Sequence, residues 1–157
     1  MSSMRERAVQ GLQTGDVFTV TRTFSREETE AFGHLTKDYN PVHYDEDFAR
    51  IKGFPQLILH GLLTAGMVCQ VGGQLAWLAT GMNFCFQRPV FFGDTITCTV
   101  TVTSVEERGW AKAEALYTNQ RGEVVVSATL EGQVPREESQ QALGERLAQG
   151  DPFNPLS

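Results

Sequence analysis

The chain has 157 residues, 41% of them hydrophobic, with 13 Lys and Arg against 19 Asp and Glu for a formal net charge of −6. That length suits one domain with a real core, and with no basic run there is no electrostatic footprint for nucleic acid. Three cysteines without a Cys-x-x-Cys pair fit reduced thiols in a cytoplasm better than a disulfide framework, and the first ten residues hold no apolar stretch of a secretory signal.

Asp16–Phe24 places Phe18, Val20 and Phe24 on one side and valine and threonines on the other, which predicts a strand. Ser25 followed by Glu28 is a capping-box pattern, so a short helix is expected to about Leu35. Pro41 drives Asn40 out of the α region, which makes the segment around it turn or extended chain. Tyr44–Ile51 predicts one or two helical turns with Asp45 near their start.

From Gly53 to Gln87 there is no Asp, Glu, Lys or Arg. The run Leu57–Ala79 could span a bilayer, at roughly 20 residues, but His60, Gln70 and Gln74 interrupt it and the rest of the chain alternates like a soluble sheet. It therefore reads as a long helix, from Leu59–Gly61 to about Ala79, buried in protein and not in membrane. Leu63, Met67, Val71, Leu75 and Leu78 mark its apolar stripe. Gly61, Gly66, Gly72 and Gly73 each disfavour helix by about 1 kcal/mol relative to Ala, which suggests close packing against a sheet.

Phe84–Arg88 predicts a strand ending at Pro89. In the next, Ile96, Cys98, Val100 and Val102 alternate with Thr95, Thr97, Thr99, Thr101 and Thr103. Two more runs follow, beginning at Trp110 and Glu123, with turns at Gly109 and Asn119–Gly122. Residues 1–135 thus form one α+β domain, an antiparallel sheet wrapped around one long buried central helix. Residues 136–157 form a polar C-terminal tail with a loose surface helix. Such a sheet has free edges, and pairing two copies would remove one, so a homodimer is expected.

Asp38 and His43 flank Pro41. A kinked loop can turn both side chains into one cleft, where a carboxylate and an imidazole around one water make a general acid–base device. Asn40 can fix the turn through its own backbone. The same residues also describe an ordinary acidic turn. At His60-Gly61 a loop becomes the helix, where glycine admits close approach and the first N–H groups are unpaired. That suits an oxyanion, while relief of packing explains the glycine equally well.

The segments "FGHLTKDYNPVHYDEDFA", "ILHGLLTAG" and "RPVFFGDTI" occur in the order of a known pattern. Together they resemble the MaoC-like family of (R)-specific enoyl-CoA hydratases, over about residues 12–134. The resemblance implies a hot-dog fold, a dimer, no metal and no redox cofactor. It implies reversible syn hydration of a trans-2-enoyl thioester, a step of fatty acid metabolism, with Asp38 and His43 as the catalytic pair. It also implies that the Gly61 N–H polarises the thioester carbonyl, with Asn40 and His60 beside it. The family often carries a helix Ser near its catalytic pair, and that position falls on Cys69, a weaker donor. Cys69 is therefore a candidate for supporting the pair.

Histidines at 34, 43 and 60 lack zinc-ligand spacing, so no metal is expected. Arg50, Lys52 and Arg88 could meet coenzyme A phosphates or simply be solvated. Coenzyme A and acyl carrier protein are both open as carriers, the net acidity weighing against the second. Two other functions compete: a hot-dog acyl-CoA thioesterase, and a non-catalytic acyl-thioester binding module.

Overall fold

Alternating side chains set the sheet. In the computed structural model, which describes residues 3–156, five runs pair. They are β1 (Val17–Thr23), β2 (Leu78–Phe86), β3 (Thr95–Val105), β4 (Trp110–Thr118) and β5 (Val124–Gln133). All pairings are antiparallel, in the spatial order β1-β3-β4-β5-β2. On β3 the apolar members Ile96, Cys98, Val100 and Val102 are fully buried while the threonines face outward. Thr21 and Thr97 meet across the outer face at 3.0 Å, and Thr23 and Thr95 at 2.7 Å. The burial of one face and solvation of the other is what an antiparallel sheet with a single covering layer demands.

The covering layer is shorter than the uncharged run predicts. Helix follows the sequence only from Gly61 to Gln74, as α4 (Gly61–Ala65) and α5 (Met67–Gln74) joined at Gly66. Gly66 has ψ −10°, and its carbonyl accepts from Cys69 N three residues on, a locally tighter step. The end is a Schellman cap: Trp77 N donates to Gly72 O and Ala76 N to Gly73 O, with Ala76 in the left-handed region at φ 49°. The chain then enters β2 at Leu78, so the strand expected at Phe84–Arg88 begins six residues earlier and ends two earlier. Leu78, expected on the helix stripe, is an exposed strand residue.

The close packing against the sheet expected of the four helix glycines holds at one of them. Nothing lies within 4 Å of the space a Cβ would take at Gly73, and only Trp77 O, at 3.9 Å, at Gly72. Of the four, only Gly61 faces a crowded neighbour beyond its own helix, the Phe86 ring. The helix packs on β1 and β3, with Tyr117 of β4 donating to the Ala65 carbonyl at 2.6 Å. The opposite side of the concave face is left partly open. Met82 and Phe86 of β2 pair with the buried Leu130 and Val126 of β5, so they share the core face, yet both are about half exposed.

Before the sheet lies α1 (Met4–Gln10), which the sequence reading omits, and after it α6 (Glu137–Ala148), which packs on α1. The segment beyond α6 is held in place. Asp151 pairs with Arg5 at 2.9 Å, and the Asn154 and Gln74 amides exchange bonds of 2.9 and 3.0 Å. The capping box at Ser25 and Glu28 opens α2 (Arg26–Thr36), and the Asp45 side chain caps α3 (Glu46–Ile51). An antiparallel sheet curved around a central helix is the hot-dog fold, in the α+β class. Among the described residues no helix is long and apolar enough to cross a membrane.

Candidate active site

The loop between α2 and α3 is built by three local devices. Lys37 adopts the left-handed conformation, φ 63°, at the end of α2 and turns the chain. Asn40 then accepts from Val42 N at 3.3 Å through its side chain and opens a single 3-10 turn, Pro41–His43, with proline at the position where no N–H is needed. Asp38 Oδ1 accepts from Asn40 N at 3.2 Å. The piece is thus a tight turn, and it brings Asp38 Oδ2 to 3.9 Å from His43 Nε2.

His43 is 8% exposed and Asp38 46%. His43 Nδ1 lies 2.8 Å from the Ile58 carbonyl, an atom that can only accept, so Nδ1 carries a proton and Nε2 is the nitrogen on the side of Asp38. Ile58 is itself fixed from the other side of the fold. Ile58 N donates to Val42 O and Leu59 N to Val90 O, the latter at 2.8 Å. Val90 leads into a turn in which buried Asp94 accepts from Phe91 N at 3.0 Å. The motif at Pro89–Asp94 therefore acts at a distance, by placing the carbonyl that orients His43.

A cavity of about 320 Å³ opens beside His43. Gly61 and Thr64 line it from the helix, Phe54 and Ile58 from the preceding loop, and Phe86 and Arg88 from the end of β2 and beyond. The Gly61 N–H heads α4 and makes no hydrogen bond among the described residues. A Cβ at Gly61 would lie 2.9 Å from the Phe86 ring. Thr64 Oγ1 is buried and has no hydrogen-bond partner among the described residues.

His60 sits behind this cavity and not in it. It is 1% exposed, stacked on His43 at 3.9 Å between ring centres with 29° between planes, and Phe32 covers it at 5.3 Å. Its Nε2 lies 3.1 Å from the Asp38 carbonyl, again an atom that only accepts, so Nε2 carries the proton. Tyr44 Oη donates to the same carbonyl at 3.2 Å. The Tyr44 hydroxyl occupies a slot at Gly33, where a Cβ would be 1.8 Å away. Burial pushes the His60 pKa below the ordinary 6.5, outweighing the Asp38 carbonyl contact, which raises it. Burial and then the Asp38 carboxylate raise Tyr44, which stays a donor.

Asp38 thus meets His43, and His43 lines one cavity with Gly61, while the Asn40 side chain braces the turn without lining that cavity and His60 lies one layer behind. Cys69 does not join them. It is exposed and lines a second cavity with Val71, Trp77 and Met82. Arg50 is paired with Glu46 and Asp47, Lys52 lies over the Phe48 ring, and Arg88 donates to the Val124 carbonyl at the cavity rim. Tyr44 and Gly33 escape the sequence reading because each matters only through a neighbour distant in the chain, and Thr64 because only the folded helix brings it to the cavity wall.

Asp38, His43 and His60 also offer three potential metal-ligand atoms within 4.8 Å of one another. A ligated ion lies near the plane of each imidazole, about 2.0–2.1 Å from its nitrogen. Rings stacked face to face direct their nitrogens side by side and not at a common point, and one nitrogen on each is already protonated toward a carbonyl. The arrangement suits proton chemistry better than metal binding.

The MaoC like domain profile matches residues 9–124. The chain is 34% identical over 104 residues to an (R)-specific enoyl-CoA hydratase of Aeromonas caviae, covering 64% of this chain and 78% of the relative. It is 28% identical over 157 residues to a 3-hydroxybutyryl-CoA dehydratase of Methylorubrum extorquens, covering 96% and 98%. Among solved structures, the (R)-hydratase from A. caviae involved in PHA biosynthesis superposes with a TM-score of 0.75 at 31% identity, over 80% of this chain and 99% of that one. With the profile spanning most of its length and the motif loops folded onto one cavity, this chain belongs to the MaoC-like domain family.

Proposed function

We propose that the protein is an (R)-specific enoyl-CoA hydratase, or the same enzyme run backward as a 3-hydroxyacyl-thioester dehydratase. The observation that carries this reading is the 3.9 Å separation of Asp38 Oδ2 and His43 Nε2 at the edge of an apolar cavity headed by Gly61. A water oxygen about 2.8 Å from each atom closes the triangle. With Nδ1 donating to Ile58, the neutral His43 ring offers Nε2 as the base, which accepts a proton as the water oxygen bonds to C3 of the enoyl group. The Asp38 carboxylate holds the water's second hydrogen. The proton returns from the pair to C2 on the same face, which makes the addition syn and restores both groups. The Gly61 N–H, at the positive end of α4, donates to the thioester oxygen as enolate charge develops there.

The residues supply the acid, the base and the oxyanion donor, so the reading needs no metal or redox group, and coenzyme A or acyl carrier protein enters only as the carrier. We further propose a homodimer. The free β2 edge and the half-exposed Met82 and Phe86 beside it support pairing with a second copy.

The test is a hydration assay on enoyl-CoA from about four to about twelve carbons, a range an apolar pocket can select within. Loss of the enoyl-thioester absorbance is expected, with a fall of about 10²–10⁴-fold in Asp38→Asn and in His43→Ala. Release of free coenzyme A thiol without hydration would replace this reading with a thioesterase. Acyl-CoA binding without any turnover would replace it with a binding module.

A further inference from the structure

The carboxylate that the proposed reaction uses is poorly held by its own contacts. Asp38 is nearly half exposed, and among the described residues its side chain meets only the Asn40 N–H and, at 3.9 Å, His43. The Asp38 main chain is held far better. Its carbonyl oxygen accepts from His60 Nε2 at 3.1 Å and from Tyr44 Oη at 3.2 Å, the two donors lying 3.5 Å apart. The His60 ring also forms the floor on which His43 lies, at 3.9 Å. One buried imidazole thus touches both members of the pair, by an N–H to one and by its face to the other.

We infer that His60 and Tyr44 are positioning residues for the Asp38–His43 pair, acting together on the Asp38 carbonyl oxygen and, through His60, on the plane of the His43 ring. The inference rests on the hydratase reading and deepens it. His60 is outside the cavity, so its part is to fix the distance between carboxylate and imidazole, not to bind the acyl chain. Without the two donors the peptide after Asp38 is free to rotate, and the carboxylate swings with it toward solvent. Without the His60 face, the His43 ring can tilt about its hydrogen bond to Ile58. Glutamine at 60 retains an N–H at the reach of Nε2, whereas alanine retains neither the N–H nor the floor. Phenylalanine at 44 removes one donor and leaves the ring.

The test compares the full-length wild type with His60→Gln, His60→Ala and Tyr44→Phe on a short enoyl-CoA, and records the imidazole nitrogen resonances of His60 in the wild type. His60→Ala should lower kcat about 10²-fold with KM changed less than about threefold, since misplacement by about 1 Å has that effect on a reacting pair. His60→Gln should recover about tenfold of that loss, and Tyr44→Phe should lower kcat about fivefold, one hydrogen bond's worth. His60 should show a protonated Nε2 and a bare Nδ1. Full kcat in His60→Ala, no recovery in His60→Gln, or a loss carried by KM alone would overturn the inference. Should His60→Ala not fold, Tyr44→Phe decides, and unchanged kcat there overturns it. The NMR arm separates the two readings. A wild type that does not hydrate refutes the proposed reaction alone, while a His60 protonated at Nδ1 removes its contact with Asp38 whatever the activity.

Discussion

Gly33→Ala is the sharpest probe of how tightly the site is built. Position 33 lies inside α2, where alanine should favour the helix by about 1 kcal/mol. The added Cβ, however, would lie 1.8 Å from Tyr44 Oη and 3.2 Å from His60 Nε2. To reach ordinary contact at 3.4 Å the hydroxyl must retreat 1.6 Å (3.4 less 1.8), which breaks its 3.2 Å bond to the Asp38 carbonyl. Overpacking of this kind costs about 1–3 kcal/mol and the hydrogen bond about 1 kcal/mol. Set against the helix gain, the net loss is about 2 kcal/mol, roughly 4–8 °C in Tm for a chain of this size. In a Tyr44→Phe background the obstructing oxygen is gone, and the nearest ring carbon lies one bond length further off. There Gly33→Ala should cost nothing measurable, because the helix gain offsets the remaining crowding. Thermal melts of the wild type, both single variants and the double variant complete the cycle. An equal loss in both backgrounds would refute the claim that the Tyr44 hydroxyl fills the Gly33 slot.

Gly61→Ala adds a methyl 2.9 Å from the Phe86 ring, at the residue whose N–H is proposed to hold the thioester oxygen. The alanine keeps its N–H, so the effect works by displacing that donor and crowding the cavity; it should lower kcat about 10²-fold, the effect of a misplacement by about 1 Å, and restoring room with Phe86→Leu should recover stability and part of the rate. Stability should also depend on pH through His60. Its pKa in the fold is below the ordinary 6.5, so the unfolded chain binds the proton more readily. Stability is then full above about pH 6.5 and falls as pH drops below it, with a slope of at most about 1.4 kcal/mol per pH unit. Urea unfolding from pH 7.5 to 5 should show this slope and His60→Gln should remove it. A slope that survives in His60→Gln belongs to other groups.

Much of the structure was legible residue by residue. The alternation of Ile96 to Val102 with threonines could bury only one face as a strand. Ser25 with Glu28, and Asp45 before an apolar turn, could cap helices with no help from the rest of the fold. Asn40-Pro41 had to turn, since the proline excludes an α-helical residue before it and the asparagine can bond its own backbone. Asp38 and His43 on either side of Pro41 were enough to suggest a shared cleft, because that signal depends on neighbours a few residues away, whereas the part of Gly61 came from the family resemblance.

What tertiary structure decided is of another kind. An uncharged run looks the same whether it is helix or strand. Where it changed from one to the other was settled by a cap at Ala76 and by the pairing of Leu78 onward with β5, a partner some fifty residues further on. His60 looked like a cavity residue because it precedes Gly61, but the 3-10 turn carries the His43 ring over it and shuts it away. Cys69 looked like a partner of the pair, but the helix turns it toward a different cavity. Tyr44 and Gly33 have no signal at all until α2 folds back on the loop, when a missing methyl on one makes room for the hydroxyl of the other. Local chemistry is written in the chain, while a contact between distant residues exists only once the backbone has brought them within a few ångströms.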